Sequence, residues 1–245
     1  MTNSTQVTIA TIGQMPAEFD RKKIKSWKSK VFNILGDIES YSLNGDSDGG
    51  SWEYTDEIIR QTLPKQHRGD CLLVIVNVPL KGNYYARGLG DNTAVITFHE
   101  IKHLLLRENI PLENVIYRLI YAYTIIFKRW GNIPSIGEET TRYTHDETRG
   151  CLFDMAGYKY DIIYSCHKPR ICFECVERMK NDRISEEAIS KIQNEVSRIK
   201  KPMFYRIAGF VKKHPLWSIV ITSISAIVLG AIGSYLATIF YDFTK

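Results

Sequence analysis

The stretch HEIKH places His99, Glu100 and His103 in HExxH spacing. On a helix, two histidines four residues apart share a face and can grip one zinc ion, while the glutamate between them activates the metal-bound water for hydrolysis. That would make His99, Glu100 and His103 a catalytic set. The match is short, and its value depends on whether these residues lie on a helix.

A second set of metal-binding types lies downstream. Cys172 and Cys175 form a C-x2-C pair, Cys151 precedes them, and a fourth donor is offered by His145 or by Cys166, with His145 preferred. Four nitrogen and sulfur ligands close a tetrahedron around zinc and staple a segment that has little core of its own. This predicts a structural zinc. The five cysteines, odd in number, include that closely spaced pair and follow no N-terminal apolar segment. Such usage argues against a secreted disulfide scaffold and for a reducing compartment.

A third set is Tyr84, Tyr85 and Arg87 in NYYARG, together with Arg118 and Arg142. Aromatic rings beside guanidinium groups suit stacking on bases and pairing with phosphates, so these five are candidate binders of a nucleotide or a single-stranded oligonucleotide.

The elements that must position these groups are legible in outline. The chain has 245 residues of ordinary globular composition and a net charge of +5, enough for one domain with an attachment. VTIATIG (7–13) alternates like a strand, and the basic run RKKIKSWKSK (21–30) reads as a solvated helix. CLLVIVNVPL (71–80) is a continuous apolar run typical of a buried strand, and TAVITF (93–98) is another. LENVIYRLIYAYTIIFKRW (112–130) is long and apolar enough to be a buried central helix. Strands interleaved with helices predict an α/β domain over 1–183.

The C-terminal quarter differs. From Leu216 to Tyr241 no residue is charged, a run longer than the roughly 20 apolar residues that cross a bilayer as a helix. This predicts one transmembrane helix over 215–241, with a tail at 242–245. Trp217 and Tyr241 fall where interfacial aromatics belong. Lys200, Lys201, Arg206, Lys212 and Lys213 precede the span, which by the positive-inside rule leaves the N-terminal domain in the cytoplasm, a single-pass arrangement in a cell inner membrane. Within the span, Ser223, Ala226, Gly230, Gly233 and Ala237 recur at alternating steps of three and four. Small residues on one stripe let helix backbones approach, so a homo-oligomer is expected, with Thr222 and Ser225 as candidate lumen-facing hydroxyls. Residues 184–214 join the two parts. Ser185 caps a helix whose stripe Ile189, Ile192, Val196 and Ile199 either packs on the domain or pairs with copies of itself. MFYRIAGFVKK then reads as an amphipathic juxtamembrane helix.

The order of the pieces, with VTIATIG and CLLVIVNVPL followed by GCLFD, a spacer and ICFECVERM, resembles the archaemetzincin family of zinc peptidases over roughly residues 7–180. The resemblance implies a metzincin-like mixed sheet with helices and a Cys-rich, zinc-binding tail. It also implies that the helix just before the tail, 112–130, should carry the catalytic motif. That helix has Tyr121–Ile125 (YAYTI) at its middle, without a histidine or an acid, while HEIKH lies on an earlier segment. The third histidine and the glycine of a metzincin motif would fall at Asn109 and Leu106. The expectation is therefore a pseudo-peptidase domain without catalytic residues, the alternative being a membrane-tethered zinc metallopeptidase that uses HEIKH. A cytoplasmic sensing domain joined to one self-associating span is similar in layout to the membrane effector of Hailong anti-phage defence. That resemblance implies an antiviral ion channel or pore with a nucleic acid ligand.

Overall fold

The computed structural model describes residues 4–135, 144–145 and 148–243. The chain divides into two units, 1–200 and 201–245.

The first unit is built on a five-stranded sheet of order β2-β1-β3-β5-β4, comprising β1 (Thr5–Ile12), β2 (Phe32–Tyr41), β3 (Cys71–Val76), β4 (Ala86–Gly90) and β5 (Thr93–Thr97). Pairings are parallel except that β4 runs antiparallel to β5. Central β3 is buried at all six positions, which is why its sequence is apolar without alternation. Its residues divide by parity between two cores. Leu73 and Ile75 join Val7, Ile9, Ala94 and Ile96 beneath α4 (Glu113–Trp130). Leu72, Val74 and Val76 join Ala10, Ile12 and Val95 around Ile59 of α2 (Asp56–Thr62).

The mixed α/β class matches the sequence reading, with local differences. The basic run is a helix only as α1 (Arg21–Ser26). Phe32–Tyr41 is an edge strand that its half-polar pattern conceals. Gly36 breaks it further with a left-handed φ of 61°. Residues 77–80 leave the sheet, since β3 stops before Asn77 and Pro79. NYYARG leads into β4, the other edge. Gly88 on β4 is required sterically, since a Cβ there would lie 1.9 Å from the Pro134 carbonyl oxygen.

Helix α4 is buried on nearly every side and ends at Gly131, whose φ of 77° forms a left-handed cap. After it come α5 (Ile162–Ser165), α6 (Phe173–Asn181) and α7 (Glu186–Val196). Ser185 caps α7 by accepting the Ala188 N–H. Of the two fates open to the α7 stripe, the structure takes the first: Ile189, Ile192, Val196 and Ile199 are buried in the same core as α4.

The second unit consists of α8 (Met203–Lys213) and α9 (Pro215–Phe243). Helix α9 is long and apolar enough to cross a membrane, and none of its apolar window is buried within the chain. Its 29 residues span about 44 Å at 1.5 Å each, against a hydrocarbon core of about 30 Å. The hydroxyls of Ser218, Thr222, Ser225 and Thr238 each donate to the carbonyl four residues back, at 2.9, 2.6, 2.8 and 3.0 Å. Such bonds satisfy these hydroxyls without water.

Candidate functional site

His145, Cys151, Cys172 and Cys175 converge, with one ligand atom of each lying within 4.8 Å of all the others. His145 Nε2 is 3.3 Å from Cys151 Sγ and 3.4 Å from Cys172 Sγ, and the Cys151 and Cys175 sulfurs are 3.9 Å apart. Edges of about 3.6–3.8 Å are what a tetrahedral zinc imposes, given metal–ligand lengths near 2.0–2.3 Å. The donor set therefore fits zinc, and the four residues form a potential zinc-binding site. Three thiolates and one imidazole leave no open position, so the ion they would hold supplies structure rather than a reactive water. Cys166, the other candidate for the fourth place, is not in the group. It lies fully buried beside Arg118, where burial pushes its thiol up to about 12.

Main-chain bonds assemble the cluster. His145 N–H donates to the Phe153 carbonyl at 3.2 Å and Met155 N–H to the His145 carbonyl at 2.9 Å. Leu152 N–H and the Arg170 carbonyl close the next link at 2.7 Å. Cys172 is the N-cap of α6 and Cys175 lies in its first turn, where the helix dipole favours thiolate. The hydrogen bond between Cys151 and Cys175 lowers the Cys151 thiol and raises that of Cys175, so the pair shares one proton while no ion is held.

HEIKH forms no comparable group. Strand β5 ends at Thr97 and α3 (Ile101–Arg107) begins two residues after His99. His99 therefore precedes the helix that carries His103, and Glu100 stands between them with a left-handed φ of 62°. The Glu100 carboxylate bonds Lys159 Nζ at 2.7 Å, which lowers its pKa. Among the described residues, the Cys/His group above is the one place where three or more metal-ligating side chains meet.

Tyr84, Tyr85, Arg87 and Arg118 do come together. They line one cavity of about 150 Å³ between β4, α4 and residues 152–155, with Ala122 and Phe153 among its apolar walls. Arg142 lies outside the described residues. The arginines are not free cations awaiting phosphate. Arg87 pairs with Asp56 at 2.9 Å and donates to the Lys81 carbonyl at 2.8 Å. Arg118 is 1% exposed and donates to Tyr85 Oη at 3.0 Å and to the Asp154 carbonyl at 2.5 Å. Sequence reasoning missed Asp56, Asp154 and Ala122, because nothing in their local spacing marks them as neighbours of the cavity.

Fold and site thus define a mixed α/β domain with a potential zinc site, followed by a membrane-length helix. No family model and no curated protein matches the chain. Among solved structures, it is similar to a crystal structure of archaemetzincin from Methanopyrus kandleri, at 11% identity over 74% of this chain and 96% of that one, with a TM-score of 0.43.

Proposed function

We propose that the chain is a non-catalytic membrane effector. Copies associate through α9 into an ion channel or pore, gated by a nucleotide or oligonucleotide bound to a cytoplasmic domain, in the manner of anti-phage effectors of similar layout. The observation that carries this reading is α9 itself. It is apolar and exposed along its length, and its small residues Ser223, Ala226, Gly230, Gly233 and Ala237 share one face. The basic residues Lys200, Lys201, Arg206, Lys212 and Lys213 before the span favour a cytoplasmic N-terminal domain at the inner membrane. A peptidase at HEIKH would need both histidines on one helical face, and His99 precedes its helix.

The test is ion flux through liposomes carrying the full chain, beside Gly230→Leu/Gly233→Leu. A Cβ at either glycine meets nothing within 4 Å in the single chain, so the double variant keeps its fold and loses only close helix association. Loss of flux and of oligomer is expected. Parental leakage by the double variant would sink the reading.

A further inference from the structure

Helix α8 presents a stripe of Met203, Phe204, Ile207, Phe210 and Val211, apolar residues that recur at helical spacing. The stripe of α7 is buried in the core, whereas these five side chains are between 45% and 73% exposed. Single exposed apolar residues are ordinary, but five on one face of one helix form a patch of the kind that marks an interaction surface. Arg206 and Lys213, seven residues apart, border one edge of the stripe, and Lys212 lies beyond the other.

Two observations say what covers this stripe. The first is continuity. His214 alone separates α8 from α9, the membrane-length helix. One residue reaches about 3.6 Å at most, so a span formed by α9 holds the end of α8 at the bilayer surface. The second is charge. Between Val196 and Tyr241 the chain has six basic residues and no acidic one. A second copy of α8 would set like charges against each other, whereas a negatively charged lipid surface complements them. Long basic side chains at the border of an apolar stripe lay their stems along it and lift their charges to headgroup level.

We propose that α8 is a binding site for anionic phospholipid. Its apolar stripe enters the boundary between headgroups and acyl chains, and Arg206, Lys212 and Lys213 pair with lipid phosphates around it. The planar guanidinium of Arg206 suits a bidentate contact with phosphate, while the two lysines act as point charges. Each cation held near an anionic leaflet strengthens binding about fivefold. The proposal rests on the reading of α9 as a membrane span, and it requires neither a channel nor a nucleotide.

The test is amide hydrogen exchange over residues 203–213, read by mass spectrometry on the full chain in liposomes. These are made of phosphatidylcholine with and without phosphatidylglycerol, at two protein densities. Exchange should slow about tenfold or more when phosphatidylglycerol is present, equally at both densities. Arg206→Gln/Lys212→Gln/Lys213→Gln, at exposed positions where folding is not at risk, should exchange alike in the two lipids. Equal exchange of the parent in both lipids, an undiminished lipid effect in the triple variant, or slowing confined to the higher density would overturn the assignment. The last of these would give the stripe to a second copy of the chain. Flotation of the same liposomes after an alkaline wash separates the two levels. If the chain floats while α8 ignores the lipid, α9 remains a span and the lipid assignment alone falls. If the chain is washed away, the span reading itself falls.

Discussion

Tyr121 Oη donates a 2.7 Å hydrogen bond to the Glu195 carboxylate, tying the middle of α4 to the last turn of α7. The same carboxylate accepts from Ser29 Oγ at 2.6 Å and from the Lys30 N–H at 2.8 Å, while Trp27 Nε1–H donates to Tyr121 Oη at 3.1 Å. Both partners are buried, and Arg118 and Ala122, which line the cavity, flank Tyr121 on α4. The knot thus joins the cavity's own helix to α7, the last helix of the first unit.

Breaking this knot should loosen α7. Glu195→Ala leaves the buried Tyr121 hydroxyl, the half-buried Ser29 hydroxyl and the Lys30 N–H without their charged acceptor and should cost about 2–4 kcal/mol, whereas Tyr121→Phe should cost about 1–2 kcal/mol. Because the residues share one bond, the double variant should cost less than the sum of the two. Urea unfolding of all four proteins checks this, and strict additivity would deny the coupling.

Zinc should copurify with the chain in a ratio near one. Cys172→Ser should lose it, together with several degrees of thermal stability, because the segment around Cys151 is held by main-chain bonds across the cluster. Cys166→Ala and His99→Ala should keep it. Elemental analysis decides, and zinc that follows His99 instead of Cys172 would relocate the site to HEIKH.

The two cysteines outside the cluster should be inert at neutral pH. Burial, then the neighbouring Asp70, pushes the Cys71 thiol up to about 12, and burial pushes Cys166 to the same value against the opposing Arg118. The folded state thus holds both protons more tightly than the unfolded chain, whose thiols titrate near 9.0. Their contribution to stability is complete below that pH and is lost as pH rises through 9 toward 12. Urea midpoints taken at intervals across this window should fall, and Cys71→Ala/Cys166→Ala should flatten the decline. Alkylation at pH 7.5 should leave both thiols unmodified in the native protein.

Gly88→Ala should be costly, in contrast to the span glycines. Its Cβ would meet the Pro134 carbonyl oxygen at 1.9 Å, so β4 or residues 133–135 must shift, at about 1–3 kcal/mol. Thermal melts of Gly88→Ala and Gly230→Ala in parallel should show a loss only for the first.

How much was legible depended on whether a signal was local. The two fully buried strands and α4 are marked by their own apolar runs, and α9 by the absence of charge from Leu216 to Tyr241. Edge strands β2 and β4 were hidden, since one side of an edge strand meets solvent and its residues follow no clean alternation. The C-x2-C pair announced a metal site. His145 was preferred to Cys166 as the fourth ligand, and it is His145 that converges with the three sulfurs.

The sequence by itself determined the α/β class, the membrane-length helix and the presence of a cysteine-rich metal motif, because each depends on composition or period within one segment. Only tertiary structure decided the rest. It placed His99 ahead of its helix and put His145 rather than Cys166 among the three sulfurs. It also neutralised Arg87 with Asp56, 31 residues away, and joined Tyr121 to Glu195 across 74 residues. Such relationships are set by how the sheet and α4 bring distant segments together, and no local pattern of residues encodes them.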